Sequence, residues 1–274
     1  MVIIGIDVGG STTKIVGYDN ATGSLIVPQL IRANDPVTAT YGAFGKFTDE
    51  NGIAISDIEK IMVTGVGSAY IKDSIYGIPC TVVPEFDCIG KGARYISALD
   101  NVLAVSMGTG TALVHASEAG SVYLGGTGVG GGTLMGLSRL LLHAESVEHI
   151  DEYINDGELD KIDLRICDVT GEGTLTALSR ELTAANFGNV SDNADRDDIA
   201  RGIANLVFET VGVSAIFASR GLGTTDIVLT GNLTRLRFCA EKFDQFNHLG
   251  YGVTFHIPEC AEFATVIGAA LMGT

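Results

Sequence analysis

The chain has 274 residues, of which 46% are hydrophobic and 18% charged, and its formal net charge is −16. This composition predicts a folded protein with a large core. Because the charge is strongly negative and we find no apolar run near the ~20 residues that cross a bilayer, nucleic acid and membranes are not expected partners. The five cysteines are scattered without a Cys-x-x-Cys pair, which disfavours disulfides and zinc and favours a reducing, cytoplasmic location.

The first part of the chain alternates short β-branched runs with helical patterns. We predict elements in the order β-β-β-α-β-α-β-α. The strands are 2–8, 14–18, 24–31, 60–64 and 81–83, and the helices lie at about 36–50, 67–76 and 86–98.

A glycine turn follows the first strand and carries polar side chains, with Asp7 before it and Gly9, Gly10, Ser11 and Lys14 after. Bare N–H groups, hydroxyls and a lysine beside a carboxylate can receive phosphate oxygens and hydrated Mg²⁺ together. The segment lacks the helix of a dinucleotide-binding fingerprint and the Gly-Lys-Ser/Thr of a P-loop. The alternative is an ordinary hairpin turn.

An acidic residue, Glu85, stands where the strand at 81–83 gives way to a helix. A carboxylate at the end of a strand, beside a cleft, suits a general base that contacts a substrate hydroxyl. Acidic residues are also ordinary at helix N-termini, where they complement the helix dipole. Both interpretations remain open on these residues alone.

The strand pattern starts again after residue 100. Further strands are predicted at 101–107, 112–117, 121–124, 226–230 and 253–256, and helices at about 130–143, 195–220, 234–247 and 261–272. This repetition predicts a duplicated α/β architecture with a central cleft, divided into halves 1–100 and 101–274. A polar insertion at about 145–194 belongs only to the second half and suits substrate or subunit contacts.

Two glycine-rich segments of the second half are candidate nucleotide loops. Gly108, Thr109 and Gly110 follow its first strand, in the place equivalent to the turn after Asp7. A run from 125 to 133 contains Gly130, Gly131 and Gly132 and leads into a helix. Unpaired N–H groups and the positive end of a helix dipole favour anion binding there.

Together these segments resemble the type II pantothenate kinases, within the superfamily of actin, hexokinase and the heat-shock chaperone ATPases. The resemblance rests on Asp7-Val-Gly-Gly-Ser11, Glu85-Phe-Asp87, Gly108-Thr-Gly-Thr-Ala-Leu113, Gly128-Val-Gly-Gly-Gly-Thr133 and Leu182-Thr-Ala-Ala-Asn-Phe-Gly188. It covers nearly the whole chain. It implies duplicated actin/ribonuclease H-like halves, each a mixed sheet flanked by helices, with an ATP cleft between them. It also implies a homodimer.

The resemblance further implies ATP-dependent phosphorylation of the primary hydroxyl of pantothenate, in coenzyme A biosynthesis. Glu85 would be the catalytic base, and Asp7 would hold Mg²⁺ directly or through water. The ATP-binding residues would be Gly9, Gly10, Ser11, Lys14, Gly108, Thr109, Gly110, Gly130, Gly131 and Gly132.

Tyr123 departs from the family pattern, which has an arginine there that contacts the acidic substrate. Tyrosine carries no charge to pair with a carboxylate. Either Arg139 or Lys91 compensates, or the substrate is a neutral relative such as pantetheine, or the protein is a non-catalytic nucleotide-binding regulator. An acyl-CoA dehydratase activator ATPase is a further alternative. That class holds an iron–sulfur cluster by cysteines near its nucleotide loop, and residues 125–133 contain none.

Overall fold

A mixed sheet forms the first half of the chain. The computed structural model describes residues 1–10, 12–32, 35–144, 146–170 and 179–274. The strands of this sheet are β1 (Val2–Val8), β2 (Thr13–Asp19), β3 (Ser24–Ile31), β4 (Ile58–Thr64), β5 (Ser74–Ile75) and β6 (Ile78–Val82). Their order is β3-β2-β1-β4-β6-β5, with β1 antiparallel to β2 and parallel to β4. Helix α1 (Pro36–Glu50) packs against β1, β2 and β3.

A second sheet repeats this arrangement. The later strands are β7 (Val102–Met107), β8 (Thr111–Ser117), β9 (Gly120–Thr127), β10 (Leu164–Arg165), β11 (Thr183–Ala185), β12 (Asp226–Thr230) and β13 (Thr254–His256). The sheet order is β13-β12-β7-β8-β9, while β10 pairs with β11 apart from it. As in the first sheet, three antiparallel neighbours are extended by two parallel strands. The predicted duplication of an α/β unit is therefore confirmed.

The remaining helices place the largest core beneath the second sheet. They are α2 (Glu85–Ser97), α3 (Gly131–Leu142), α4 (Val147–Asp156), α5 (Ile166–Val169), α6 (Arg196–Leu222), α7 (Arg237–His248) and α8 (Ala264–Leu271). Helix α6 packs on β7, β8 and β12 and contacts α3, α4 and α7. Contrary to our expectation, α6 is long and apolar enough to cross a membrane. Because 61% of its apolar window is buried within the protein, it has the surroundings of a core helix.

Helices α2 and α8 cross between the two sheets. Helix α2 packs mainly on the second sheet, α8 packs on the first, and the two helices pack against each other. A glycine of each helix lies at the point where the helices cross. A Cβ on Gly92 would overlap the carbonyl oxygen of Ala264, and a Cβ on Gly268 would overlap the carbonyl oxygen of Cys88. Only helices without side chains at these positions can approach so closely. The halves are thus joined through a backbone-to-backbone contact.

The prediction of a helix at 67–76 is wrong. The chain there forms a short 3₁₀ helix, Val66–Tyr70, and then the strand β5, which pairs antiparallel with β6. Tyr76 and Gly77 connect the two strands with positive φ angles of 49° and 82°. A two-residue turn with two positive φ angles favours a hairpin, because its twist matches that of the strands. This local geometry outweighs the apolar spacing that suggested a helix.

A largely buried polar network connects the segment Leu182–Gly188 to α6. The Thr183 hydroxyl and the Asn186 amide donate to the two carboxylate oxygens of Glu209, at 2.7 and 3.0 Å. The Lys242 ammonium also lies 2.7 Å from Glu209 Oε1. These contacts give the segment a structural role.

Glu209→Leu is expected to destabilise the fold by about 3–5 kcal/mol, because it leaves the Lys242 charge buried without its partner. The two side chains are only 14% and 6% exposed. Urea unfolding measures the change. The matched control, Glu209→Leu with Lys242→Met, removes both charges and is expected to recover much of the loss. A single variant as stable as the wild type would contradict the prediction.

Candidate active site

Asp7 and Lys14 face each other across the hairpin of β1 and β2, where they are register partners. Both side chains are buried. Burial raises the pKa of Asp7, and the Lys14 charge opposes that shift. Burial also lowers the pKa of Lys14, against the attraction of Asp7 and of more distant acids. Two buried opposite charges at the end of a strand are typical of a site that binds charged ligands.

Gly65 closes the space beside Asp7. It follows β4 with a φ of +86°, and a Cβ there would lie 2.5 Å from Asp7 Oδ1 and 2.6 Å from the Val8 carbonyl oxygen. Both the conformation and the contact require glycine. The Asp7 carboxylate is therefore held in place by backbone on one side.

Glu85 is the first residue of α2 and is half-buried. Burial raises its pKa, the Asp7 charge raises it further, and Lys14 lowers it. The fold thus brings together the three charged residues that the sequence singled out, from β1, β2 and the start of α2. A half-buried carboxylate with a raised pKa, whose charge interacts with a buried Asp7–Lys14 pair, is a candidate general base.

The two predicted phosphate loops face each other. The Gly9 N–H donates to the Thr12 carbonyl at 3.0 Å, which makes the first loop a tight turn. A Cβ on Gly10 would lie 3.9 Å from Thr109 Oγ1, so the first loop reaches the second. Ser11 lies outside the described residues.

The sequence predicted unpaired N–H groups at Gly131 and Gly132, but in the structure both groups are hydrogen-bonded. They donate to the carbonyls of Gly108 and Thr109, at 2.9 and 2.8 Å. These bonds fasten the second loop to the N-terminus of α3. An anion at this helix end must therefore use other donors.

Close backbone packing explains the glycines around that junction. A Cβ on Gly130 would lie 2.8 Å from the carbonyl carbon of Gly110. Gly125 and Gly126 belong to β9, which is longer than predicted, and α3 begins at Gly131. The glycine run is thus part strand, part turn and part helix.

A cavity of about 550 Å³ opens beside the two loops. It is lined by Thr12, Leu30, Arg32, Gly108, Thr109, Gly131, Gly132, Leu134, Met135, Arg139, Ser146, Asp151, Asn232, Leu233, Arg235 and Leu236. Arginines and apolar side chains beside glycine loops suit a ligand with a flat apolar end and a phosphate end. Ser146 and Asp151 show that the insertion contributes to this cavity.

Sequence reasoning missed the residues that follow β12. Gly231 has a φ of +91° and packs against Met107 at the end of β7, as Gly65 packs against the end of β1. The next residue, Asn232, donates to Thr12 Oγ1 at 3.4 Å and so links the two halves. The repeated Thr-Gly after equivalent strands was the available signal.

Lys91 and Arg139, the two cations considered as substitutes for an arginine at position 123, have other contacts in the structure. Lys91 donates to the Leu271 carbonyl at 2.7 Å. Arg139 lines the cavity beside the start of α3. Tyr123 instead stacks on Phe86, with ring centroids 4.0 Å apart and planes inclined by 10°.

Asp7 is the candidate metal ligand. Within the described ranges, no group of three or more His, Cys, Asp or Glu side chains could hold a metal ion by itself. Magnesium at nucleotide sites commonly uses one or two carboxylates, waters and the phosphates. A single buried carboxylate beside the first predicted phosphate loop fits that pattern.

Comparison with known proteins yields relatives in sequence and in fold. The Fumble family model matches residues 37–256. The chain is 30% identical to a type II pantothenate kinase of Bacillus cereus over 76% of its length and 75% of that protein. It is 29% identical to one of Staphylococcus haemolyticus over 84% of each. The fold is similar to that of the activator of 2-hydroxyisocaproyl-CoA dehydratase from Clostridium difficile with bound ADPNP, with a TM-score of 0.72, 18% identity, and 99% and 94% of the chains covered.

Proposed function

Since the chain belongs to the Fumble family, we propose that it is an ATP-dependent kinase that phosphorylates the primary hydroxyl of pantothenate or a close relative, in coenzyme A biosynthesis. One observation carries the proposal: Glu85, Asp7 and Lys14 converge beside two facing glycine loops. A base, a cation and a buried carboxylate at such loops are what phosphoryl transfer to an alcohol requires.

In this proposal Glu85 accepts the proton of the acceptor hydroxyl as its oxygen attacks the γ-phosphorus, and the bond to the β-phosphate oxygen breaks. Lys14 offsets negative charge on the phosphates. Asp7 would hold Mg²⁺, which supplies charge neutralisation to the triphosphate when bound. Such catalysis depends mainly on positioning and electrostatics.

The cavity beside the loops is the proposed nucleotide site. Its apolar residues suit the nucleobase of ATP, while Arg139, Arg235 and the loops suit the triphosphate. We therefore assign Arg139 to the nucleotide rather than to the acceptor. The cytoplasmic location and the homodimer remain predictions.

The dehydratase-activator alternative rests on a likeness of fold at 18% identity. The named relatives near 30% identity are instead pantothenate kinases. A non-catalytic regulator has no need of the base at Glu85. Both observations favour the kinase.

The test is phosphoryl transfer by the purified protein, with ATP and pantothenate or pantetheine, followed by mass spectrometry of the product. We expect a phosphorylated acceptor and ADP in equal amounts, and loss of transfer when EDTA removes Mg²⁺. ADP release without a phosphorylated acceptor would indicate an ATPase. No turnover with either acceptor would contradict the proposal.

A further inference from the structure

An aromatic pair forms the surface next to Glu85. Phe86 follows Glu85 in the first turn of α2, and its ring stacks on Tyr123 of β9. The two side chains remain 38% and 48% exposed, so they present ring surface to the solvent rather than filling the core. A parallel stack at a protein surface offers a flat, uncharged face to a ligand.

Tyr123 extends from the base toward the second loop. Its hydroxyl lies 3.1 Å from the position that a Cβ on Gly126 would occupy. Gly126 is the register partner of Ala112, and the next pair is Thr127 with Thr111, directly after the second loop. The tyrosine side chain thus reaches from Phe86, the neighbour of Glu85 in the chain, toward the part of β9 that pairs with β8 just after the second loop. An acceptor alcohol that reaches both Glu85 and a phosphate at the second loop would pass close to this ring.

The two elements that carry the pair offer few cations. Strand β9 has none, and α2 has only Lys91 and Arg94. Lys91 donates to the Leu271 carbonyl and Arg94 to the Ser117 carbonyl, at 2.7 and 2.9 Å. Lys14 is buried and is the register partner of Asp7. On these two described elements, a carboxylate on the acceptor would meet the charges of Glu85 and Asp87, while the Lys91 and Arg94 side chains are engaged by backbone carbonyls.

We propose that Phe86 and Tyr123 select the acceptor: a primary alcohol whose far end is an uncharged amide is preferred to one that ends in a carboxylate. The planar amide stacks on the aromatic face, and the Tyr123 hydroxyl donates to its carbonyl oxygen. The inference rests on the proposed kinase function and deepens it. It makes Tyr123 a specificity-determining residue.

The experiment compares kcat/KM for pantetheine, which ends in an amide-linked thiol, and for pantothenate, which ends in a carboxylate. The wild type is expected to have a kcat/KM about tenfold or more higher for pantetheine than for pantothenate. The carboxylate of pantothenate would lose its hydrogen bonds to water without gaining a charged partner, and the loss of one such bond corresponds to about a tenfold change. Tyr123→Arg is expected to shift the ratio toward pantothenate by about tenfold or more, because a guanidinium pairs with a carboxylate. KM for ATP should not change.

Val122→Arg is the matched control, since it adds the same charge at the neighbouring exposed position, on the opposite side of β9. It should leave the ratio unchanged. A wild type that prefers pantothenate, or an equal shift in both arginine variants, overturns the inference and leaves the kinase standing. A protein that phosphorylates neither acceptor overturns both.

Discussion

Glu85→Gln is expected to lower kcat by about 10²–10⁴-fold, the contribution of a positioned general base. Glutamine keeps the shape of the side chain at the start of α2 but cannot accept the proton of the acceptor hydroxyl. Because Glu85 is not among the residues that line the proposed nucleotide cavity, KM for ATP should change little. Initial rates of acceptor phosphorylation measure both constants.

Asp87→Asn is the matched control, because Asp87 is the other acid in the first turn of α2. It is expected to retain activity within a few-fold. The pH profile gives a second readout of the same base. Burial raises the pKa of Glu85 above its ordinary value of 4.5, so activity should fall as the pH drops through that raised pKa. An equal loss in both variants would reject Glu85 as the base.

Gly268→Ala is expected to destabilise the protein by at least about 4 kcal/mol, or to prevent its folding, although it adds a single methyl group. That methyl would overlap the Cys88 carbonyl oxygen at the crossing of α2 and α8. Backbone on both sides cannot yield as a flexible side chain can. Relieving the overlap would move one helix away from the other and separate the sheets that they cover.

Gly136→Ala provides the comparison, because a Cβ at Gly136, within α3, has nothing within 4 Å. The higher helix propensity of alanine should leave this variant as stable as the wild type or up to about 1 kcal/mol more stable. Urea unfolding with the yield of soluble protein measures both. Equal unfolding midpoints for the two variants would show that the crossing tolerates a side chain.

Most strands could be predicted because their apolar runs are local signals. β1, β3 and β12 lie where the sequence indicated. The glycine contacts could not be predicted, since Gly92 and Gly268 resemble any other glycine in a helical pattern. Their need for glycine arises from a partner helix far along the chain.

The same distinction holds at the site. Asp7 and Glu85 could be singled out because Asp7 lies at the end of a recognisable strand and Glu85 follows another, and their charges do interact. The N–H groups of Gly131 and Gly132 were misjudged, because their acceptors lie more than twenty residues upstream, beyond the reach of local patterns. Asn232 was missed since only the folded chain places it beside Thr12.

The crossing of α2 and α8 also links the positions of two candidate site residues, one from each side of the crossing. Glu85 begins a helix that rests on the second sheet, whereas Asp7 ends a strand of the first. A rotation of one sheet about this pivot changes the separation of the two carboxylates. In the proposed kinase, a rotation that closed the cleft over a ligand would therefore also move Glu85 relative to Asp7, with the Gly92 and Gly268 contacts at its pivot.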